Sequence, residues 1–148
     1  MPLPPRIRAL LAEHTSLVLA TARDGQPWTG AVFYTVEETA DGVSLLCAVL
    51  ASSRKLANLR ANPRVAVFIG PREPTRWIQA EGTAPVVDEP AAAAEAVTRL
   101  TTAVPAARVL TERAPVVPVR IHLGSITLTD LTGGRPRAAT GRASGSDR

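Results

Sequence analysis

Ser52-Ser53-Arg54-Lys55-Leu56-Ala57-Asn58-Leu59-Arg60-Ala61-Asn62-Pro63-Arg64-Val65 is the stretch on which the reading of this 148-residue chain turns. It spells a strand end, a hydroxyl cap, about two turns of helix and a Pro-bounded return into another strand. The first turn of a helix exposes backbone N–H groups at the positive end of its dipole. Ser53 at the cap, with Arg54 and Lys55 beside it, therefore makes an anion-binding corner. Two cations at that end are unfavourable until an anion arrives. Lys55 is also the only lysine of the chain, against 16 arginines. The same pattern describes a capped surface helix with two solvated cations, and local spacing leaves both readings open.

Outward from that stretch, the composition bounds what the chain can be. One domain is expected from 148 residues, with a core of Val, Leu, Ile and Ala, because 45% of residues are apolar but only 3% aromatic. The formal charge of +4 invites a nucleic-acid partner, but residues 133–148 hold four arginines against Asp147, leaving only +1 for residues 1–132. The body is thus no basic platform, and no nucleic-acid partner is expected. Residues 133–148, rich in Gly, Ser, Ala and Arg, are expected to form a disordered basic tail behind a domain of residues 1–132. No run approaches the ~20 apolar residues of a membrane span, and the N-terminus lacks a signal-peptide pattern, so a cytoplasmic protein without membrane contact is expected. Cys47 has no cysteine to pair with and lies in an apolar run, where a buried, inert thiol is expected.

Before the central stretch, Pro4-Pro5 open a short helix with Ile7, Leu10, Leu11 and His14 on one face. Residues 16–22 form a strand, Asp24-Gly25 a hairpin turn, and residues 27–36 the second strand. Glu37, Glu38 and Asp41 read as a solvated loop, not as a metal site, since no His or Cys joins them. Residues 43–49 are apolar on both faces. After the central stretch come strands at 65–69 and 76–84, the latter with Trp77, Gln79 and Glu81 on one side and Ile78, Ala80 and Gly82 on the other. Asp88-Glu89-Pro90 opens a helix with a capping acid, an acid in the first turn and Pro near the start; Pro105 ends it, and a short helical piece follows at 106–113. A strand at 116–123, a bulge or bend at Gly124-Ser125, and a last strand at 126–131 complete the body. His122 falls on a polar strand face and is expected to be exposed. Hairpin-linked strands with few crossover helices specify an antiparallel barrel decorated by helices, mainly β in an α+β class.

Ser53-Arg54-Lys55, Leu59 and Asn62-Pro63-Arg64-Val65, with Asp24-Gly25-Gln26-Pro27 before them and Glu81-Gly82-Thr83-Ala84 after them, resemble the pyridoxamine 5'-phosphate oxidase-like superfamily over residues 7–131. The resemblance implies a six-stranded antiparallel split β-barrel with short flanking helices, a homodimer, and FMN in clefts between protomers. It implies that Ser53, Arg54 and Lys55 hold the FMN phosphate and that the backbone at Ala31, Val32 and Phe33 meets the polar edge of the ring. Ala48 and Val49 match the family's cofactor-contacting Tyr-Thr pair, and Trp77 matches its flavin-contacting Gln. In true pyridoxamine phosphate oxidases the second strand carries an Arg and a Lys where this chain has Gly30 and Thr35, and their Arg-bearing C-terminal motif has no counterpart at 132–148. Pyridoxamine phosphate is therefore not the expected substrate.

The function expected from these residues is an FMN-dependent oxidoreductase with a small-molecule substrate. The protein would anchor and orient the flavin, with Trp28 and Trp77 near the ring or in the core. Two alternatives stand beside it. One is use of the 8-hydroxy-5-deazaflavin coenzyme, suggested by the Ala, Arg and Pro excess of a high-GC bacterial genome. The other is a non-catalytic flavin- or haem-binding module, for which only His14, His122 and Cys47 could be axial ligands.

Overall fold

The computed structural model describes residues 3–133 and 137–142. Asp24 and Gly25, with φ of 52° and 76°, form a two-residue turn whose twist suits a hairpin, and it joins β1 (Ser16–Arg23) to β2 (Gln26–Thr39). β3 (Gly42–Leu50), β4 (Arg64–Ile69), β5 (Arg76–Thr83) and β6 (Val116–Asp130) complete an antiparallel sheet in the order β3-β2-β1-β4-β5-β6. β6 also pairs with β3, from Ser44 opposite His122 to Leu50 opposite Val116, so the six strands close into a ring.

Two long strands make the ring a split barrel. β2 pairs with β1 through residues 26–33 and then with β3 through residues 34–39. β6 pairs with β3 through residues 116–122 and with β5 from residue 122, across its bend, through residue 130. The ladder steps from Ala80 opposite Ile126 to Gly82 opposite Leu123, so the extra residue of the bulge sits at Gly124-Ser125 as the sequence predicts. The two pieces expected at 116–123 and 126–131 are one bent strand.

Alternation fills the barrel from all six strands of the ring: Leu17, Leu19, Tyr34, Leu45, Ile69, Ile78 and Ile121 are all at most 3% exposed. Each such burial contributes roughly 1.5–3 kcal/mol. α1 (Pro5–Glu13) adds Ile7, Leu10 and Leu11 to this core, and the Tyr34 hydroxyl donates to the Leu11 carbonyl at 2.6 Å. β3 is apolar on both faces because its outer residues Leu46 and Ala48 are covered by Ala96 and Leu100 of α3 (Pro90–Ala103). A 3-10 turn (Pro105–Ala107) and α4 (Arg108–Thr111) lead from α3 to β6, matching the short helical piece expected there. Cys47 is fully buried, and burial raises its thiol pKa, as befits an inert packing residue.

Three expectations are corrected. Glu37 and Glu38 lie in β2, not in a loop, because Glu37 faces two arginines brought in by other elements; the turn is only Ala40-Asp41. Glu89 caps α3 by accepting from the amides of Ala91 and Ala92, while Asp88 is drawn away to Arg60. Residues 137–142, expected in a disordered tail, form β7 (Arg137–Arg142) along the edge of β6 that is free past the bend. Main-chain bonds suffice for such a strand and need no apolar pattern. The remainder of that tail, 134–136 and 143–148, lies outside the described residues.

Candidate functional site

α2 (Arg54–Ala61) closes one mouth of the barrel. Ser53 is its N-cap and accepts from the Leu56 amide at 3.3 Å, while Leu56 and Leu59 turn into the core. The helix is tied down at its far end as well. Asn58 donates to the Thr21 hydroxyl at 3.0 Å and Asn62 to the Ala22 carbonyl at 3.2 Å, both on β1. These bonds lay the first turn of α2 against the inward face of β2.

Two cations are fixed there. The Lys55 ammonium lies 2.8 Å, and its Cδ 3.2 Å, from where Gly30 would carry a Cβ, so the lysine stem occupies the room that this glycine leaves. The Arg54 guanidinium stacks over the Trp28 ring with its centre 4.2 Å from the ring centroid. Stacking uses the guanidinium face and leaves its in-plane N–H donors available. Among the described residues neither Arg54 nor Lys55 has an acidic partner.

The neighbouring backbone is open as well. Among the described residues, β2 is paired from residue 26 to 33 on the β1 side alone. Arg23 and Gln26 close the two-residue turn as a bonded pair, so alternation turns the N–H and C=O of Thr29 and Ala31, and the N–H of Phe33, to the edge that β3 leaves open. Residues 31–33 thus divide: Ala31 and Phe33 present backbone groups, whereas Val32 bonds towards Leu17 and is 3% exposed. A hydroxyl, an ammonium, a guanidinium and a helix N-terminus beside an unpaired strand edge suit a ligand with a phosphate at one end and a planar polar-edged group at the other.

The sequence profile of the pyridoxamine 5'-phosphate oxidase family matches residues 3–124. The chain belongs to that family. No curated protein matches it. Solved structures with the same fold include an FAD-binding protein from Mesorhizobium loti (18% identity, 85% of this chain and 94% of that one, TM-score 0.67). They also include a nimC/nimA family protein from Clostridium acetobutylicum (18%, 93% and 94%, 0.64) and a haem-binding protein from Mycobacterium smegmatis (19%, 95% and 60%, 0.66).

Not every residue matched to the family's cofactor contacts comes to the corner formed by α2 and β2. Ala48 is 4% exposed beneath α3 and Val49 is 1% exposed inside the barrel, with their backbones laddered to Pro118 and Val117. Trp77 stands on β5, stacked on Phe68 at 6.3 Å between centroids, with its indole N–H donating to Gln79 at 3.3 Å. β1 and β4 separate it from β2. Next to it, the outer faces of β1, β4, β5 and β6 form a groove of about 380 Å³ that includes Val18, Ala20, Ala66 and Phe68, with Gln79 and Glu81 among its polar residues.

Sequence reasoning missed the seat that Gly30 provides, although a glycine at an inward position of an alternating strand is a sign of close approach. It also missed a polar cleft of about 340 Å³ on the far side of the barrel. There Glu37 accepts from Arg120 at 2.8 Å and from Arg99, while the Ser44 hydroxyl and His122 Nδ1 share a bond of 2.8 Å. Burial pushes the Glu37 carboxyl pKa up, but the bonds from Arg120 and Arg99 outweigh it and hold the pKa below the usual value. Only long-range pairing assembles this cluster, from β2, β3, β6 and α3. No described helix is long and apolar enough to cross a membrane.

Proposed function

We propose that this member of the family is an FMN-dependent oxidoreductase acting on a small molecule, with the cofactor phosphate held by Ser53, Arg54 and Lys55. The observation that carries the proposal is the meeting of two cations, without an acidic partner among the described residues, and a capped helix N-terminus with a strand edge those residues leave open. When bound, FMN supplies hydride-accepting and hydride-donating chemistry that side chains lack. Arg54 and Lys55 offset the phosphate charge, and the Ser53 hydroxyl donates its proton while its lone pair caps the helix. The free N–H and C=O of Ala31 and the N–H of Phe33 offer complementary partners for the polar rim of a ring. The apolar outer groove, where Val18 is 41% exposed, suits contact with a second copy of the chain in a homodimer.

Haem fits less well. Cys47 is sealed in the core, and His122 and His14 line other clefts, away from the corner formed by α2 and β2. The test is the visible spectrum of the purified protein after incubation with excess FMN and desalting. Retained oxidised-flavin bands in the wild type, lost in Lys55→Ala, are the expected result. A protein that stays colourless, yet melts at higher temperature with the 8-hydroxy-5-deazaflavin coenzyme, moves the assignment to that cofactor. A protein stabilised by neither coenzyme removes the redox reading.

A further inference from the structure

We propose that Gly30 is a positioning residue that makes this site selective for phosphorylated ligands by giving Lys55 its seat. The inference rests on the phosphate-site reading above and adds a residue that does not itself touch the ligand. A Cβ at position 30 would stand 2.8 Å from the Lys55 ammonium and 3.2 Å from its Cδ, closer than unbonded atoms tolerate. Any side chain there therefore forces the ammonium to shift from its place beside β2. Gly30 has an ordinary negative-φ strand conformation, so the glycine is not needed for the backbone. Nor do backbone atoms crowd it, since the three nearest atoms all belong to the flexible end of one side chain. What the missing Cβ provides is space for a cation.

That cation is otherwise poorly constrained. A lysine stem has four rotatable bonds and loses much conformational freedom when it is held. Confining it in a slot on the strand before the ligand arrives lowers the ordering cost of binding. Arg54 gains similar restraint from the Trp28 ring two residues earlier on the same face of β2. Trp28 and Gly30 thus act as a pair, one supporting a cation by stacking and the other by leaving room.

The experiment is titration of the full-length apoprotein with FMN and with riboflavin, which lacks the phosphate. It is run on the wild type, Gly30→Ala, Lys55→Ala, the double variant and Lys55→Arg. Losing a charge-assisted bond to phosphate should weaken FMN roughly 10- to 100-fold in Lys55→Ala with riboflavin unchanged. Gly30→Ala should do the same, with an unchanged melting temperature and no further loss in the Lys55→Ala background. Lys55→Arg keeps the charge but is too broad for the slot, and should also lose preference for FMN over riboflavin. If Lys55→Ala weakens FMN while Gly30→Ala and Lys55→Arg bind it like the wild type, the seat is refuted and the phosphate site stands. The seat is equally refuted if Gly30→Ala weakens both flavins alike. If Lys55→Ala leaves FMN affinity unchanged, the phosphate site itself is refuted.

Discussion

A Cβ added at Gly82 would stand 2.2 Å from the carbonyl oxygen of His122 and 3.3 Å from the Cα of Leu123, both backbone atoms across the β5–β6 ladder. Neither can swing aside as the end of a lysine can. Gly82→Ala should therefore destabilise the fold by about 1–3 kcal/mol or more, read as a lower urea midpoint at unchanged slope. At Gly30 the crowding atoms are a mobile side-chain terminus, so the alanine should be silent for stability. The sequence made both glycines visible, one in the Glu81-Gly82-Thr83-Ala84 motif and one as a gap in an alternating strand. It could not say which neighbour each faces, because both contacts join residues at least 25 apart.

Among the elements, β2, β6 and α3 are fastened together by Glu37, whose side chain is only 11% exposed between Arg99 and Arg120. Its pKa is lowered in the folded state, so it contributes stability at pH values above the ordinary glutamate range, and loses it as pH falls through the depressed folded value. Glu37→Gln should cost about 1–2 kcal/mol at pH 7, with the gap to wild type narrowing in chemical denaturation as the buffer is taken to pH 3. The ion pairs also explain why the sequence misled here. Glu37-Glu38 beside Asp41 reads as solvated by local composition, and only arginines 62 and 83 residues away turn it into strand. Local signals sufficed where the determinants are local: the Ser53 cap, the Asp24-Gly25 turn and the slip at Gly124-Ser125 all stand where the residues place them. β7 escaped notice because a strand held to an edge by main-chain bonds leaves little trace in side-chain pattern.

For the whole molecule, the outer groove links fold to assembly. Val18, 41% exposed among Ala20, Ala66 and Phe68, is apolar surface that a lone barrel leaves in water. If a second copy covers it, Val18→Asp should turn a dimer into a well-folded monomer in sedimentation velocity and release bound flavin. A monomeric wild type would dismiss the dimer. The ring itself has a bearing on synthesis. β6 is the strand that pairs with both β3 and β5, and it begins about thirty residues after β5 ends. A nascent chain therefore carries two open sheet edges for some seconds at ordinary elongation rates of roughly 5–20 residues per second. α3 emerges within that interval and can shield the outer face of β3 but not its backbone edge. The period between the emergence of β5 and of β6 from the ribosome is when this protein most needs a chaperone.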